Sequence, residues 1–297
     1  MTELIEVYRT PHERSCLDRG LVLASQGLPF ARVQREGFHV LLVDERFVAR
    51  AAEELRRFEE ENRGFRLRSV LPPAAPFAGG ASAAFALVLL VLGLAQWRSL
   101  FGLDWVEHGV AHAALLRQGE LWRAATALTL HTDLAHLLGN VFFALCFGYL
   151  VAHGLGGGLG YLAILVAGIL GNWTNAWVQA PGHLSIGAST AVFGAVGILC
   201  GSEARRRHLL MEPRARRFAP IGAALVFLLY LGLGQTERLG EIDVLAHVFG
   251  LLWGLLIGFA LPNLLARGFL RRGPQIACAG AASALLALAW MLAFDRI

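Results

Sequence analysis

Residues 185–200 read SIGASTAVFGAVGILC. Gly187, Ala188, Ser189, Thr190 and Ala191 stand at the mouth of an apolar segment crowded with small residues. A serine placed there has two ordinary readings. It caps the helix by bonding a backbone amide, or it is a nucleophile if a base on another segment reaches it. The segment is short for a bilayer, because Glu203 and Arg205–Arg207 end it. A short helix held inside a bundle need not span alone. The stretch therefore points to packed membrane helices, and its meaning depends on what surrounds it.

The surroundings are of the same kind. Of 297 residues, 56% are hydrophobic and 16% are charged, whereas soluble domains carry about 25% charged residues. Acidic residues concentrate in the first seventy positions, and long apolar runs fill the rest. This is the pattern of an α-helical polytopic membrane protein with a polar N-terminal appendage. The net charge of +4 is then a matter of loop topology, and nucleic acid is not expected as a partner. MTELIEVYRTPHERS lacks an apolar core segment, so no cleavable signal peptide is expected. Cys16, Cys146, Cys200 and Cys278 are far apart and form no CxxC. Neither a disulfide framework nor a thiolate metal site follows.

Residues 1–67 read as a small α+β domain in the order β-α-β-β-α. ELIEVYR, PFARVQREG and FHVLLVD supply strands, HERSCLDRGLVLASQG a helix closed by Gly27, and DERFVARAAEELRRFEEEN the clearest helix. Residues 68–79 hold Pro72, Pro73 and Pro76 and read as a linker. Seven candidate spans follow, near 80–97, 127–151, 158–178, 187–202, 218–234, 243–262 and 275–293. The loop EARRRHLLMEPRARR (203–217) is strongly basic and NLLARGFLRRG is basic, whereas GQTERLGEID is poor in basic residues. Basic loops face the cytoplasm, so the N-terminal domain is expected there, and the composition fits a bacterial plasma membrane. Ser189, His136, Asn140 and His247 then share one depth, just below the outer surface.

Ionisable groups at that depth usually mark function. His247 lies in DVLAHVFGLLWGLLIG, followed by Gly250, Gly254 and Gly258 on the same helical face. Such a stripe lets another helix approach closely, and Gly194, Gly197 and Gly201 offer the matching strip. Packing the two would bring Ser189 within reach of an imidazole that can take its proton. Taken singly, the histidine is a structural hydrogen-bonding group and the serine a cap; taken together they read as nucleophile and base. His136 and Asn140 are spaced i, i+4 on one side of the second span. With the Ser189 amide they could stabilise an oxyanion, worth about 3–4 kcal/mol per donor. Their bland reading is an interhelical bond worth about 1 kcal/mol. His131, His136 and His247 suit zinc by type, although the five-residue step from His131 to His136 separates their faces unless His131 precedes the helix. Asp243 is expected to be a solvated loop residue, leaving the pair without a buried acid. Trp122 and Arg123 close the first outer loop as interfacial anchors. In that loop His108 and His112 are spaced i, i+4 with no third ligand in view.

These residues resemble the rhomboid family of intramembrane serine proteases over residues 80–262. The likeness rests on four elements in order: Glu-x-Trp-Arg at Glu120–Arg123, His-x4-His-x3-Asn at His131, His136 and Asn140, Gly-x-Ser at Gly187–Ser189, and Ala-His-x2-Gly with its glycine ladder at Ala246–Gly258. The resemblance implies a six-helix core, with Ser189 as nucleophile and His247 as general base and acid. It implies an oxyanion hole of His136, Asn140 and the Ser189 amide, an aromatic packing role for Phe193, and supporting roles for Gly187, His131, Trp122, Arg123, Gly250 and Gly254. Transmembrane proteins are the implied substrates, cut within membrane lipid, and no cofactor or metal is implied. Residues 263–297 would then be a basic loop and seventh helix added to the core. The family pattern Gly-x-Ser-Gly is broken here by Thr190, bulkier and stiffer than glycine. That departure favours one alternative, a catalytically impaired rhomboid-like protein that binds membrane-protein clients. A transporter would show an internal repeat, and none is visible.

Overall fold

A computed structural model describes residues 4–62, 77–210, 212–232, 243–261 and 268–295. Most of the linker and the loop 233–242 lie outside the described residues, as does part of the basic loop after the sixth span. The chain divides into two units, Met1–Leu71 and Pro72–Ile297.

The first unit has the expected element order: β1 (Leu4–Thr10), α1 (Glu13–Ser25), β2 (Phe30–Arg35), β3 (Phe38–Asp44) and α2 (Val48–Glu61). The sheet is antiparallel in the order β1-β3-β2. FHVLLVD is the central strand because its apolar run suits burial on both faces, and Val40 to Val43 are all buried. Leu41 and Val43 pack with Cys16 and Leu23 of α1 and with Ala51 and Leu55 of α2. Gly27 closes α1 with a φ of +67°, as a left-handed turn requires.

The second unit is a helical bundle. Its long helices are α3 (Ala78–Trp97), α7 (Leu134–Leu155), α8 (Gly157–Val178), α9 (Ser189–Leu209), α10 (Arg214–Gly232), α11 (Val244–Ala260) and α12 (Arg272–Phe294). Among the described residues four of these, α3, α7, α8 and α12, are long and apolar enough to cross a membrane. Helix α9 fails that test by its charged last turns and α11 by its 17 residues. The second expected span is corrected at its start. Ala127–Thr129 form a 3-10 turn, and α7 begins only at Leu134. Asp133 accepts the His136 amide at 2.8 Å, and this cap fixes the helix start. Short elements fill the stretch between α3 and α7: α4 (Trp105–Gly109), β4 (Ala111–His112), α5 (Ala113–Arg117) and α6 (Arg123–Thr126). Strand β4 pairs with β5 (Leu184–Ser185), just ahead of Ser189.

Helices α9 and α11 pack on their glycine stripes. A β-carbon on Gly254 would overlap the Gly194 carbonyl, and one on Gly197 would overlap the Leu251 carbonyl. Backbone-to-backbone approach of this kind is open only to small residues. Helix α12 is tied in at both ends. Gln275, 1% exposed, accepts from the Gly158 and Leu159 amides at 2.8 and 3.1 Å. Its own amide donates to the Leu155 and Phe269 carbonyls at 2.9 and 2.8 Å. One side chain therefore satisfies orphan groups at the end of α7 and the start of α8. At the other end Trp290 donates to Thr129 Oγ1 at 3.2 Å and packs against Trp105 and Phe294.

Candidate functional site

Ser189 is the first residue of α9, and the N-cap is Ala188, with no side chain capping the helix. The serine hydroxyl is thus not spent on the backbone. Its Oγ is hydrogen-bonded to His247 Nε2 at 2.8 Å. His247 is buried in the first turns of α11, and the Phe193 ring stacks on it with centroids 4.6 Å apart. Serine and histidine arrive on two helices whose glycine seam sets their separation.

Gly187 approaches from the other side. Its φ of +125° is a conformation that glycine alone adopts without strain. A β-carbon there would lie 2.7 Å from His136 Nε2, so the residue is small for reach as well as for conformation. His136 Nδ1 is 3.2 Å from Thr132 Oγ1, which leaves Nε2 on the side of Gly187. Asn140 is buried and gives one amide hydrogen to the His136 carbonyl at 3.1 Å. His131 lies in the loop before α7, and its ring meets that of His136 edge-on at 5.1 Å. Burial and then the neighbouring His136 push the His131 imidazole down to about 4, so it is neutral at physiological pH. Gln96 of α3 holds the His131 backbone at both its amide and its carbonyl, at 3.0 and 2.8 Å. No group of three or more His, Cys, Asp or Glu side chains that could hold a metal ion occurs among the described residues.

Three sequence expectations are corrected. Arg123 is not an interfacial anchor: it is 7% exposed, and its guanidinium bonds Glu120 at 2.7 Å and the Glu107 and Val110 carbonyls at 2.8 and 3.1 Å. It folds the loop over itself, because several buried carbonyls there need a donor. His108 and His112 do not share a helix face, since His112 belongs to β4.

Asp243 is the third correction. It caps α11, accepting the Ala246 amide at 3.0 Å, and its side chain is only 10% exposed. It also accepts Asn175 Nδ2 at 2.6 Å and pairs with His183 Nε2 at 2.7 Å. A solvated reading failed because these partners lie 60 and 68 residues away in sequence. A partial signal existed in GNWTNAWV (171–178), where Asn172 and Asn175 are polar residues inside a span. Burial alone would raise the Asp243 carboxyl, but hydrogen bonds from His183, Ala246 and Asn175 and the charge on His183 outweigh it and hold it below the ordinary range. A group depressed in this way contributes stability that is complete above its unfolded value and is lost as pH falls through its folded one. Melting temperature should therefore drop more steeply into acid for the wild type than for Asp243→Asn, whose amide does not titrate. Equal acid slopes would remove the carboxylate from this account.

Thr190 is accommodated rather than strained. It is 3% exposed, and its methyl faces Gly171 of α8, where a β-carbon would come within 2.7 Å, and Gly250 of α11. Two neighbouring glycines supply the room that the threonine takes.

Comparison with known proteins bears on the family of the helical unit. Residues 118–264 match the family described as Rhomboid domain. The chain is 31% identical over 156 residues to Rhomboid protease GluP of Bacillus subtilis (strain 168), covering 52% of this chain and 29% of that protein. It is 34% identical over 154 residues to Rhomboid-like protease 1 of Toxoplasma gondii, covering 52% and 51%. RHOMBOID-like protein 5 of Arabidopsis thaliana is 27% identical over 154 residues, covering 52% and 48%. The matches thus span between about a third and a half of the length of these relatives. With a bundle of apolar helices and a family domain laid across the residues just described, this chain is an integral membrane protein and belongs to the rhomboid family.

Proposed function

We propose that the protein is an intramembrane serine endopeptidase that cuts transmembrane proteins with a Ser189–His247 dyad. The observation that carries this reading is the 2.8 Å bond between Ser189 Oγ and His247 Nε2, made while no side chain caps α9. His247 Nε2 takes the hydroxyl proton as Oγ attacks the scissile carbonyl. The oxyanion is met by the Ser189 amide, His136 Nε2 and the free amide hydrogen of Asn140. His247 then protonates the leaving amine, and water resolves the acyl-enzyme by the reverse proton path. Phe193 keeps the imidazole plane fixed by stacking.

Basic loops put the N-terminal unit in the cytoplasm and Ser189 toward the opposite face, and the composition fits a bacterial plasma membrane. Hydrolysis needs water, so the site opens to an aqueous cavity from that face. A substrate helix must unwind there, which favours substrates with helix-breaking or small residues near the outer surface. Thr190, the residue that favoured a client-binding alternative, finds its room at Gly171 and Gly250 and leaves the dyad intact. The test is labelling of the detergent-purified protein by a fluorophosphonate. Wild type should label, and Ser189→Ala and His247→Ala should not. Equal labelling of wild type and Ser189→Ala would refute the assignment.

A further inference from the structure

Asp243 does more than cap a helix. Its carboxylate gathers groups from three elements: Asn175 of α8, His183 of the stretch ahead of β5, and the Ala246 amide of α11 itself. Gln179 adds a longer contact at 3.5 Å. An isolated cap needs none of this. An asparagine caps about as well as an aspartate, so a carboxylate fixed by several donors points to a use for its charge. The residue stands one turn before His247, at the start of the same helix.

Among the described residues the ionisable surroundings are few. Helix α8 contributes only the neutral Asn175 and Gln179. The following stretch contributes His183, whose carbonyl is in turn bonded by the Ala113 amide. From α5, Arg117 reaches in, but its guanidinium is bonded to the carbonyls of Ala176 and Gln179 at the end of α8. His112 faces this stretch through the pairing of β4 with Leu184. Among the described residues His183 is therefore the one titratable side chain in direct contact with the carboxylate.

We propose that Asp243 is a positioning residue for the Ser189–His247 pair. It fixes the first turn of α11 so that His247 meets Ser189, and it presents a negative charge to the imidazolium formed during proton transfer, with Asn175 and His183 holding the carboxylate in place from the neighbouring elements. This rests on the dyad reading above.

The experiment uses the full-length protein in detergent and measures the rate of fluorophosphonate labelling from pH 4 to 9. Melting temperature at pH 7 and in acid is followed in parallel. Asp243→Asn keeps the cap and removes the charge. It should label on the order of 10- to 100-fold more slowly at neutral pH, the scale of a small loss of alignment or support at a reacting pair, with a melting temperature that is lowered at pH 7 by the carboxylate contribution it gives up and whose gap to wild type narrows in acid. His183→Ala removes one of the donors that fix the carboxylate and should slow labelling at neutral pH by less than Asp243→Asn does. In the double variant the His183 effect should vanish. With a helical transmembrane reporter, Asp243→Asn should lower kcat and leave KM unchanged. If Asp243→Asn labels at the wild-type rate across the pH range, or the His183→Ala effect persists in the double variant, the proposal is overturned and the dyad reading stands. Labelling that survives Ser189→Ala overturns both.

Discussion

Gly254→Val should eliminate labelling of Ser189 and lower the stability of the bundle in one step. Gly254 faces the Gly194 carbonyl on α9, and a β-carbon there would overlap that backbone atom. Gly197 against Leu251 and Gly258 against Ile198 repeat the relation along the seam. A flexible side chain can turn away from an intruding methyl, but a helix backbone can only move as a whole. Overpacking of this kind costs about 1–3 kcal/mol, and parting the helices separates the groups they carry. A shift near 1 Å at a reacting pair can cost about 100-fold in rate. The labelling rate should therefore fall by at least about 100-fold, with a lower melting temperature. Gly280→Ala on α12 is the control. No atom lies within 4 Å of its β-carbon position, so it should label as wild type does. Wild-type labelling by Gly254→Val would show that the seam does not set the dyad distance.

Gln275→Leu should have the largest effect on stability among changes outside the site. The leucine removes one acceptor from the Gly158 and Leu159 amides and one donor from the Leu155 and Phe269 carbonyls. Each buried group left unpaired costs about 1–3 kcal/mol. Relaxation of the turn and partial access to water reduce the sum, and we expect a loss of about 3–5 kcal/mol. Gln275→Glu removes half of the donor side of the bond set, since a carboxyl buried against carbonyls keeps its proton and so still accepts from both amides but donates to one carbonyl rather than two. It should fall between wild type and leucine. Thermal unfolding in detergent decides this, and a leucine variant that melts with wild type would contradict the role given to Gln275.

The sequence carried the helices, the N-terminal α+β pattern and the two glycine stripes, because each is a periodic signal along one segment. The same stripes, with the depth argument from loop charges, were enough to bring Ser189 and His247 together on paper. What the sequence hid is pairing across long separations. Asp243 looks like a loop residue until Asn175 and His183 are beside it. Thr190 looks like a misfit until Gly171, on a helix with no motif of its own, is found to face it. Arg123 at the end of a loop reads as an anchor because sequence does not show that the loop folds back and buries carbonyls around it. The late start of α7 was legible in principle, since Asp133 is an N-cap residue placed just before the apolar run.

The Gln275 bond set also bears on biogenesis. Helix α12 follows in synthesis every helix that it ties together, so α7 and α8 enter the bilayer as a hairpin whose turn has not yet met its partner. Insertion and locking are therefore separate stages for this protein. Until α12 arrives, interfacial water must satisfy the Gly158 and Leu159 amides, and the Thr129 segment ahead of His131 lacks the indole that later bonds it. The nascent chain thus carries the paired residues of the site before it carries the helix that holds their surroundings still.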